Sequence, residues 1–451
     1  MLNKSNLYNY QLQTIEFAKK NKKCGLFLSL GAGKTISTLT LLAEVTPGST
    51  LIIAPIRVAR TVWIQEAAKW QHTKHLEFVQ LAGLSPKKRL AALQEGFGKI
   101  CIINVELIQW LFSVLDVNPF DTIIIDEFSQ FKNPNTKRFK AVKKLFRQSD
   151  RVIGLTATPA PNSLINLWSQ LYLLDEGKRL SPYITHYREK YFTQSPYSEY
   201  VWELKPGSEK KIHNTISDIC ISLDAGDFIE LPNIVYNDIR VELSVADRNL
   251  YNEMKNNEII YFKELNKVVT AVNAAVLAGK LLQLASGTLY SVDKTVINIH
   301  DKKLDAVIEL VEQLVGNPVI IAYKYVCDLE KLRIAFPGAP IMGKYPEGDE
   351  LLCQRWNNGE LPIMLLSPAS ASHGLNLQYG GHNIIEYTPD WSYERTDQFY
   401  GRLARQGQLQ KRVFIHRLIV NDSFDERVIQ VLKDKARGQN ALLDAVKIEI
   451  T

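Results

Sequence analysis

Two stretches of the chain alternate short apolar runs with helical patterns. In the first, residues 25–30, 50–54, 100–104, 122–125 and 151–155 are runs rich in Ile, Val and Leu. Stretches with helical spacing, such as 35–44 and 61–70, lie between them. Near the C-terminus the runs are 318–323, 362–367, 383–387 and 413–418, followed by a helical pattern over 424–437. Runs of this length without polar alternation suit strands buried on both faces, and strand–helix alternation predicts parallel sheets covered by helices. The expected fold class is therefore α/β, with two such units and a mainly helical insertion between them.

The segment 171–295 reads differently. It is rich in Tyr, Lys and Glu, with helical patterns at 246–265 and 268–284, a turn signal at Lys205-Pro206-Gly207-Ser208, and a stretch at 231–243 suited to an extended linker. The expected domains are 1–170, 171–295 (insertion and linker) and 296–451.

Composition excludes several classes. The five cysteines, at positions 24, 101, 220, 327 and 353, are scattered without a C-x-x-C pair. That argues against a disulfide framework or a zinc site. The first 23 residues are polar, and the apolar runs fall far below the ~20 residues of a membrane helix. The expectation is a soluble cytoplasmic protein without membrane contact. A formal net charge of +6 permits a polyanionic partner without demanding one.

Gly31-Ala32-Gly33-Lys34-Thr35 lies between the first apolar run and a helical pattern. In that context glycines let backbone N–H groups approach phosphate, Lys34 reaches the β- and γ-phosphates, and the Thr35 hydroxyl holds magnesium. The full phosphate-loop pattern wants a glycine where Leu28 stands, so the match is partial.

Asp126-Glu127 follows the apolar run 122–125. A carboxylate at the C-terminal edge of a parallel strand faces the ligand crevice. Asp126 is the candidate for Mg2+ and Glu127 for the attacking water. Thr156 and Thr158, ending the fifth run, could hydrogen-bond this pair. In the second unit Gln398, Arg402 and Arg405 stand at i, i+4 and i+7, which places them on one face if helical. Guanidinium groups there suit a γ-phosphate. The segment Ser367-Pro368-Ala369-Ser370-Ala371-Ser372-His373-Gly374-Leu375-Asn376 suits a loop touching phosphate or nucleotide.

Together these residues resemble superfamily 2 helicases, most closely the Snf2-like group. Tyr8 and Gln11 resemble the adenine-side motif, residues 31–35 motif I, Ala54-Pro55-Ile56-Arg57 motif Ia, and Asn104 with Glu106 motif Ib. Asp126-Glu127-Phe128-Ser129 stands at the acidic box and Thr156-Ala157-Thr158 at motif III. Ala322-Tyr323-Lys324, residues 374–378 and residues 398–408 are similar to motifs IV, V and VI. The compact form resembles the small DNA branch-processing helicases of bacteriophages. Departures are Phe128-Ser129 in the acidic box and Leu28-Ser29-Leu30 where the group often carries an acidic residue.

The resemblance implies two RecA-like lobes, ATP with Mg2+, and tracking along duplex, forked or branched DNA. Tyr8, Gln11, Gly31, Ala32, Gly33, Lys34, Thr35, Gly374 and Gln398 would bind nucleotide. Lys34, Asp126, Glu127, Arg402 and Arg405 would act in hydrolysis, and Thr35 and Asp126 would hold the metal. Pro55, Arg57, Asn104, Lys324, Ser370 and Asn376 would touch the DNA backbone, giving salt-dependent binding with little sequence preference. A monomer is expected, with other replication or recombination proteins as further partners. The main expectation is a translocase that unwinds or branch-migrates DNA. A second is an ATP-switched clamp that displaces proteins without separating strands, and an RNA helicase ranks third. The basic stretch 132–147 either lines the DNA path or is a solvated helix face.

Overall fold

The computed structural model describes all residues except 30, 46–47, 116, 161–162, 195–201, 224–230, 265–270, 291–294, 347, 372–374 and 446–451. The described residues form two compact units, one of residues 1–223 together with 435–445 and the other running from residue 231 to Asp434.

The strands of the first unit are β1 (Lys23–Leu28), β2 (Thr50–Ala54), β3 (Phe78–Gln80), β4 (Ile100–Asn104), β5 (Thr122–Asp126), β6 (Arg151–Thr156), β7 (Phe192–Gln194), β8 (Trp202–Leu204) and β9 (Cys220–Leu223). Seven of them form one parallel sheet in the order β3-β4-β2-β5-β6-β1-β9, while β7 and β8 pair as a small antiparallel hairpin. Every residue of β2, β4, β5 and β6 is buried. That is the consequence of helices covering both faces, and it explains why these strands read as unbroken apolar runs.

On one face, Leu111 of the helix Ile108–Val114, Phe139, Val142, Leu145 and Phe146 of Lys137–Gln148, and Leu167 and Leu171 of Ile165–Asp175 share a core with strand residues Phe27, Ile53, Ile103 and Ile125. Burial of each such side chain contributes roughly 1.5–3 kcal/mol against leaving it in water.

The second unit contains β10 (Asn233–Val241), β11 (Thr288–Tyr290), β12 (Val296–Asn298), β13 (Val319–Ala322), β14 (Ile363–Leu366), β15 (Asn383–Glu386) and β16 (Arg412–Val420). Five form a parallel sheet in the order β10-β16-β15-β13-β14, and β11 pairs antiparallel with β12. One of its two apolar faces packs against Leu281 and Leu284 of the helix Ala271–Ala285 and Val307 and Leu310 of Lys302–Gln313.

The α/β class with two parallel sheets agrees with the sequence, but the boundaries around the middle segment move. Residues 171–223 fold with the first unit: β9 adds to its sheet beside β1, and Tyr187, Tyr191, Ile212 and Ile216 enter its core. Residues 231–243 are not a linker. They hold β10, which pairs with β16 from Asn233↔Arg412 to Val241↔Val420. Its solvent-facing residues dilute the apolar signal that a central strand would give. The helical patterns there become Val245–Glu264 and Ala271–Ala285, both in the second unit.

Candidate nucleotide site

In a parallel sheet the C-terminal strand ends meet along one edge, and ligands bind in the crevice outside it. In the first unit that edge carries the loop after β1, Pro55 and Arg57 after β2, Asn104 ending β4, Asp126 ending β5, and Thr156 ending β6.

The loop after β1 passes through Gly31 (φ 81°) and Gly33 (φ 77°), backbone states that residues with a side chain rarely adopt. It feeds the helix Lys34–Val45. Gln11 is pressed against it. Its Nε2 donates to the Ala32 carbonyl at 3.3 Å, and its Oε1 accepts from the Tyr8 amide at 3.0 Å. A Cβ on Gly33 would lie 2.2 Å from Gln11 Nε2. The Tyr8 ring stacks on Tyr10, with centroids 5.6 Å apart and planes 10° apart, and remains 38% exposed while Tyr10 is buried. The structure thus gathers Tyr8, Gln11, Gly31, Ala32 and Gly33 into one cluster. Lys34 Nζ donates to the Leu28 carbonyl at 2.9 Å and the Ser29 carbonyl at 3.3 Å, so the ammonium lies over the loop at the end of β1. Thr35 is half-buried in the first turn of the helix.

Asp126 ends the central strand β5 and is 8% exposed. Trp63 Nε1, on the fully buried first residue of the helix Trp63–Lys69, donates to Asp126 Oδ2 at 3.2 Å. Burial pushes the Asp126 carboxyl above the usual carboxylate range; the Lys34 charge, the Trp63 hydrogen bond and the Glu127 amide oppose this. A buried carboxylate of this kind, with the Thr35 hydroxyl, fits Mg2+. That ion takes oxygen ligands and usually needs only one or two carboxylates, with water and phosphate completing its shell. Among the described residues there is no cluster of three or more acidic, His or Cys ligands, so a cage built wholly from protein is not what they offer.

Glu127 adopts φ 64°, ψ 61°, a left-handed state that costs a non-glycine residue about 1–2 kcal/mol. The next residues form a single turn, Phe128–Phe131, and both phenylalanines are fully buried in the core. Gly154, opposite Ile125 in register, makes room: a Cβ there would lie 2.1 Å from Phe128 Cδ1. Phe128 in the acidic box is therefore a core residue. The Thr156 hydroxyl accepts from the Thr158 amide at 3.1 Å, so it closes its own turn instead of reaching the acidic pair as expected.

Pro55 is buried directly after β2, and Arg57 is half-buried ahead of the π-helical turn Val58–Val62, which leads into the Trp63 helix. Asn104, opposite Ala54 in register, donates from Nδ2 to Glu106 Oε2 at 2.6 Å. Trp63 does not stand out in the sequence. Its signal there is its place one turn beyond the Pro55-Arg57 segment.

The second unit also collects candidates at its strand ends. Lys324, after β13, lies 3.4 Å from Asp390 and donates to the Pro389 carbonyl at 3.4 Å. Burial pulls its ammonium below the ordinary lysine range, opposed by Asp390. Asp390 is also held by Arg395 at 3.0 Å. Ser370 Oγ donates to the Ser367 carbonyl at 2.7 Å within the short helix Pro368–Ala371. Arg405 Nη1 donates to Asn376 Oδ1 at 2.7 Å, bringing two expected site residues together. Gly374 lies outside the described residues.

The single helical face expected for Gln398, Arg402 and Arg405 does not form. The helix Tyr393–Tyr400 contains Gln398, 3% exposed, and ends at Gly401, so Arg402 and Arg405 sit in turns. Gly407 at φ 92° and Gln408, whose Nε2 donates to the Leu403 carbonyl at 3.2 Å and the Gly381 carbonyl at 2.9 Å, fold this segment back. Lys303, which no motif in the sequence marks, forms a fully buried ion pair with Asp425 at 2.7 Å and donates to the Tyr387 carbonyl at 3.0 Å.

The SNF2-related domain family matches residues 10–288 and the helicase conserved C-terminal domain matches residues 302–407. Putative protein p41 of Acyrthosiphon pisum secondary endosymbiont phage 1 is 35% identical, covering 97% of this chain and 98% of its own length. An uncharacterized ATP-dependent helicase of Mycoplasma pneumoniae is 24% identical over 96% of this chain, which spans 42% of that relative. Among solved structures, the Sulfolobus solfataricus SWI2/SNF2 ATPase core in complex with dsDNA aligns at a TM-score of 0.44 and 20% identity, covering 97% of this chain and 93% of that one.

Proposed function

The chain belongs to the SNF2-related family of ATP-hydrolysing helicases and translocases, and we propose that it spends ATP to move along DNA, unwinding or branch-migrating forked and junction substrates. The observation that carries this reading is the shared sheet edge of the first unit. There the nucleotide cluster of Gln11, Gly33 and Lys34, the acidic pair Asp126-Glu127, and the backbone-contact candidates Pro55, Arg57 and Asn104 follow neighbouring strands. Trp63, hydrogen-bonded to Asp126, continues through the turn Val58–Val62 to Arg57, which gives a change in nucleotide state at Asp126 a short route along the chain.

In this reading Tyr8 and Gln11 bind the adenine side, while Gly31, Ala32 and Gly33 offer backbone N–H groups to phosphate. Lys34 leaves the carbonyls of Leu28 and Ser29 for the β- and γ-phosphates. Thr35 and Asp126 would hold Mg2+, which neutralises phosphate charge when bound. Glu127 orients the attacking water. Gly374 and Gln398 contribute to nucleotide binding, and Arg402 and Arg405 are the guanidinium groups required for turnover. Lys324, Ser370 and Asn376 join Pro55, Arg57 and Asn104 on the DNA backbone.

ATP-dependent strand displacement and branch migration, measured on forks and Holliday junctions with Lys34→Ala as control, test the proposal. Wild-type activity that disappears in the variant is the expected result. Unwinding that survives Lys34→Ala would refute the motor reading. ATPase stimulation by DNA without any displacement would favour the clamp instead, and equal stimulation by RNA would remove the DNA assignment.

A further inference from the structure

Between Glu127 and Asp150 the chain carries seven basic residues and no carboxylate. Most lie on the helix Lys137–Gln148, whose apolar side is used fully: Phe139, Val142, Leu145 and Phe146 are all buried in the core. The basic side is not uniform. At its C-terminal end Arg147 is paired with Glu176 at 3.0 Å, and Lys143 lies 4.5 Å over the Tyr172 ring. These two cations have structural partners. Lys137, Lys140 and Lys144, at i, i+3 and i+7, are exposed along one stripe, and Arg138 flanks it half-buried.

This arrangement works against the helix that carries it. Like charges three and four residues apart repel. The first turn holds no acid, whereas the helix dipole favours acids there. Stability of the helix therefore does not account for the pattern, and a polyanion laid along the stripe would reverse both penalties. The stripe spans about 10 Å at 1.5 Å per residue. A duplex carries one phosphate charge per about 1.7 Å of axis counting both strands, so about six lie within that length, and those on the near side would face the stripe.

We propose that the stripe Lys137, Lys140 and Lys144, with Arg138, is a second DNA contact, distinct from the sheet-edge residues, that grips the phosphate backbone of duplex DNA without reading sequence. The inference rests on the reading of DNA as the track. It places a backbone grip on the element that leads directly out of the acidic pair through the turn Phe128–Phe131. Contact there would therefore hold the duplex close to Glu127 in the chain.

The test is equilibrium binding of a labelled DNA duplex of fixed length across a salt series, for wild type and for the triple variant Lys137→Gln, Lys140→Gln, Lys144→Gln. The slope of log affinity against log salt becomes shallower by about 0.9 for every phosphate that is no longer neutralised. In the triple variant it should therefore fall by about 2 to 3, and affinity at low salt by about tenfold or more. ATPase activity without DNA should be unchanged, and the triple Lys→Arg variant should keep the wild-type slope. A slope and affinity unchanged in the glutamine variant would overturn the stripe alone. Absence of duplex binding by wild type would overturn both the stripe and the DNA reading. A weakening seen only with double-stranded RNA would also overturn it, since B-form DNA is the stated ligand.

Discussion

The indole of Trp63 and the carboxylate of Asp126 are joined by a 3.2 Å hydrogen bond, the one side chain fully buried and the other nearly so. This contact fixes which way one oxygen of the acidic strand end faces, and it links that oxygen to the helix emerging from the Pro55–Arg57 segment.

Trp63→Phe keeps an aromatic ring in the buried site and deletes the donor. Hydrogen bonds to charged groups contribute about 1.5–3 kcal/mol, so the Mg2+ concentration for half-maximal ATPase should rise about tenfold or more. The rate at saturating Mg2+ should largely recover. Steady-state ATPase over a magnesium series checks this. A lower rate with unchanged metal dependence would show that Trp63 only supports the fold.

Gly33→Ala meets two obstacles, the side-chain amide of Gln11 at 2.2 Å and the left-handed backbone at φ 77°. Backbone strain alone costs about 1–2 kcal/mol, so ATP affinity should fall about tenfold or more. Adding Gln11→Ala should relieve the clash without relieving the backbone, giving a double variant better than the sum of the singles predicts. Titration of a fluorescent ATP analogue across the four proteins measures the coupling; strict additivity would mean that Gln11 does not press on the loop in solution.

Arg405→Ala should leave ATP binding within a few-fold and reduce turnover by about a thousandfold, the scale of removing an arginine finger. Asn376→Ala removes the acceptor that holds Arg405 at 2.7 Å and should lower turnover less, because the guanidinium is displaced but still present. Single-turnover hydrolysis with parallel nucleotide-binding measurements separates these outcomes.

Glu386, buried at the end of β15, has its carboxyl pushed up from 4.5 to about 7, mainly by burial and against the nearby Arg417 charge. The native state then keeps a proton that the unfolded chain releases at lower pH. Stability of the second unit should therefore fall as pH rises from about 4.5 to about 7, by up to about 1.4 kcal/mol per pH unit. Glu386→Gln should flatten that slope, as chemical denaturation at several pH values would reveal.

The central strands are legible in the sequence because burial on both faces leaves an unbroken apolar run, as at residues 50–54 and 100–104, which match β2 and β4 residue for residue. β10 sits at a sheet edge with most of its residues facing solvent, so no apolar run announces it, whereas β9 is buried throughout and escapes notice because it is only four residues long and interrupted by Ser222. The loop of Gly31 and Gly33 is legible because its geometry demands those residue types. Trp63 is not, because its role depends on a contact 63 positions away that no local pattern encodes. The spacing of Arg402 and Arg405 suggests a helix, but Gly401 ends the helix before either residue.

The space above Gly154 belongs to the ring of Phe128, and this ties the histories of the two positions together. An alanine at 154 is barred while the ring is present, and a smaller residue at 128 leaves a void while the glycine remains. Neither step is neutral alone, whereas the exchange of both together keeps the volume filled. Comparison among relatives should therefore find a small residue at the first position wherever an aromatic follows the acidic pair, and should find the two changing in concert. The third letter of the acidic box would then record how its neighbouring strand is packed and carry little information about which reaction is performed.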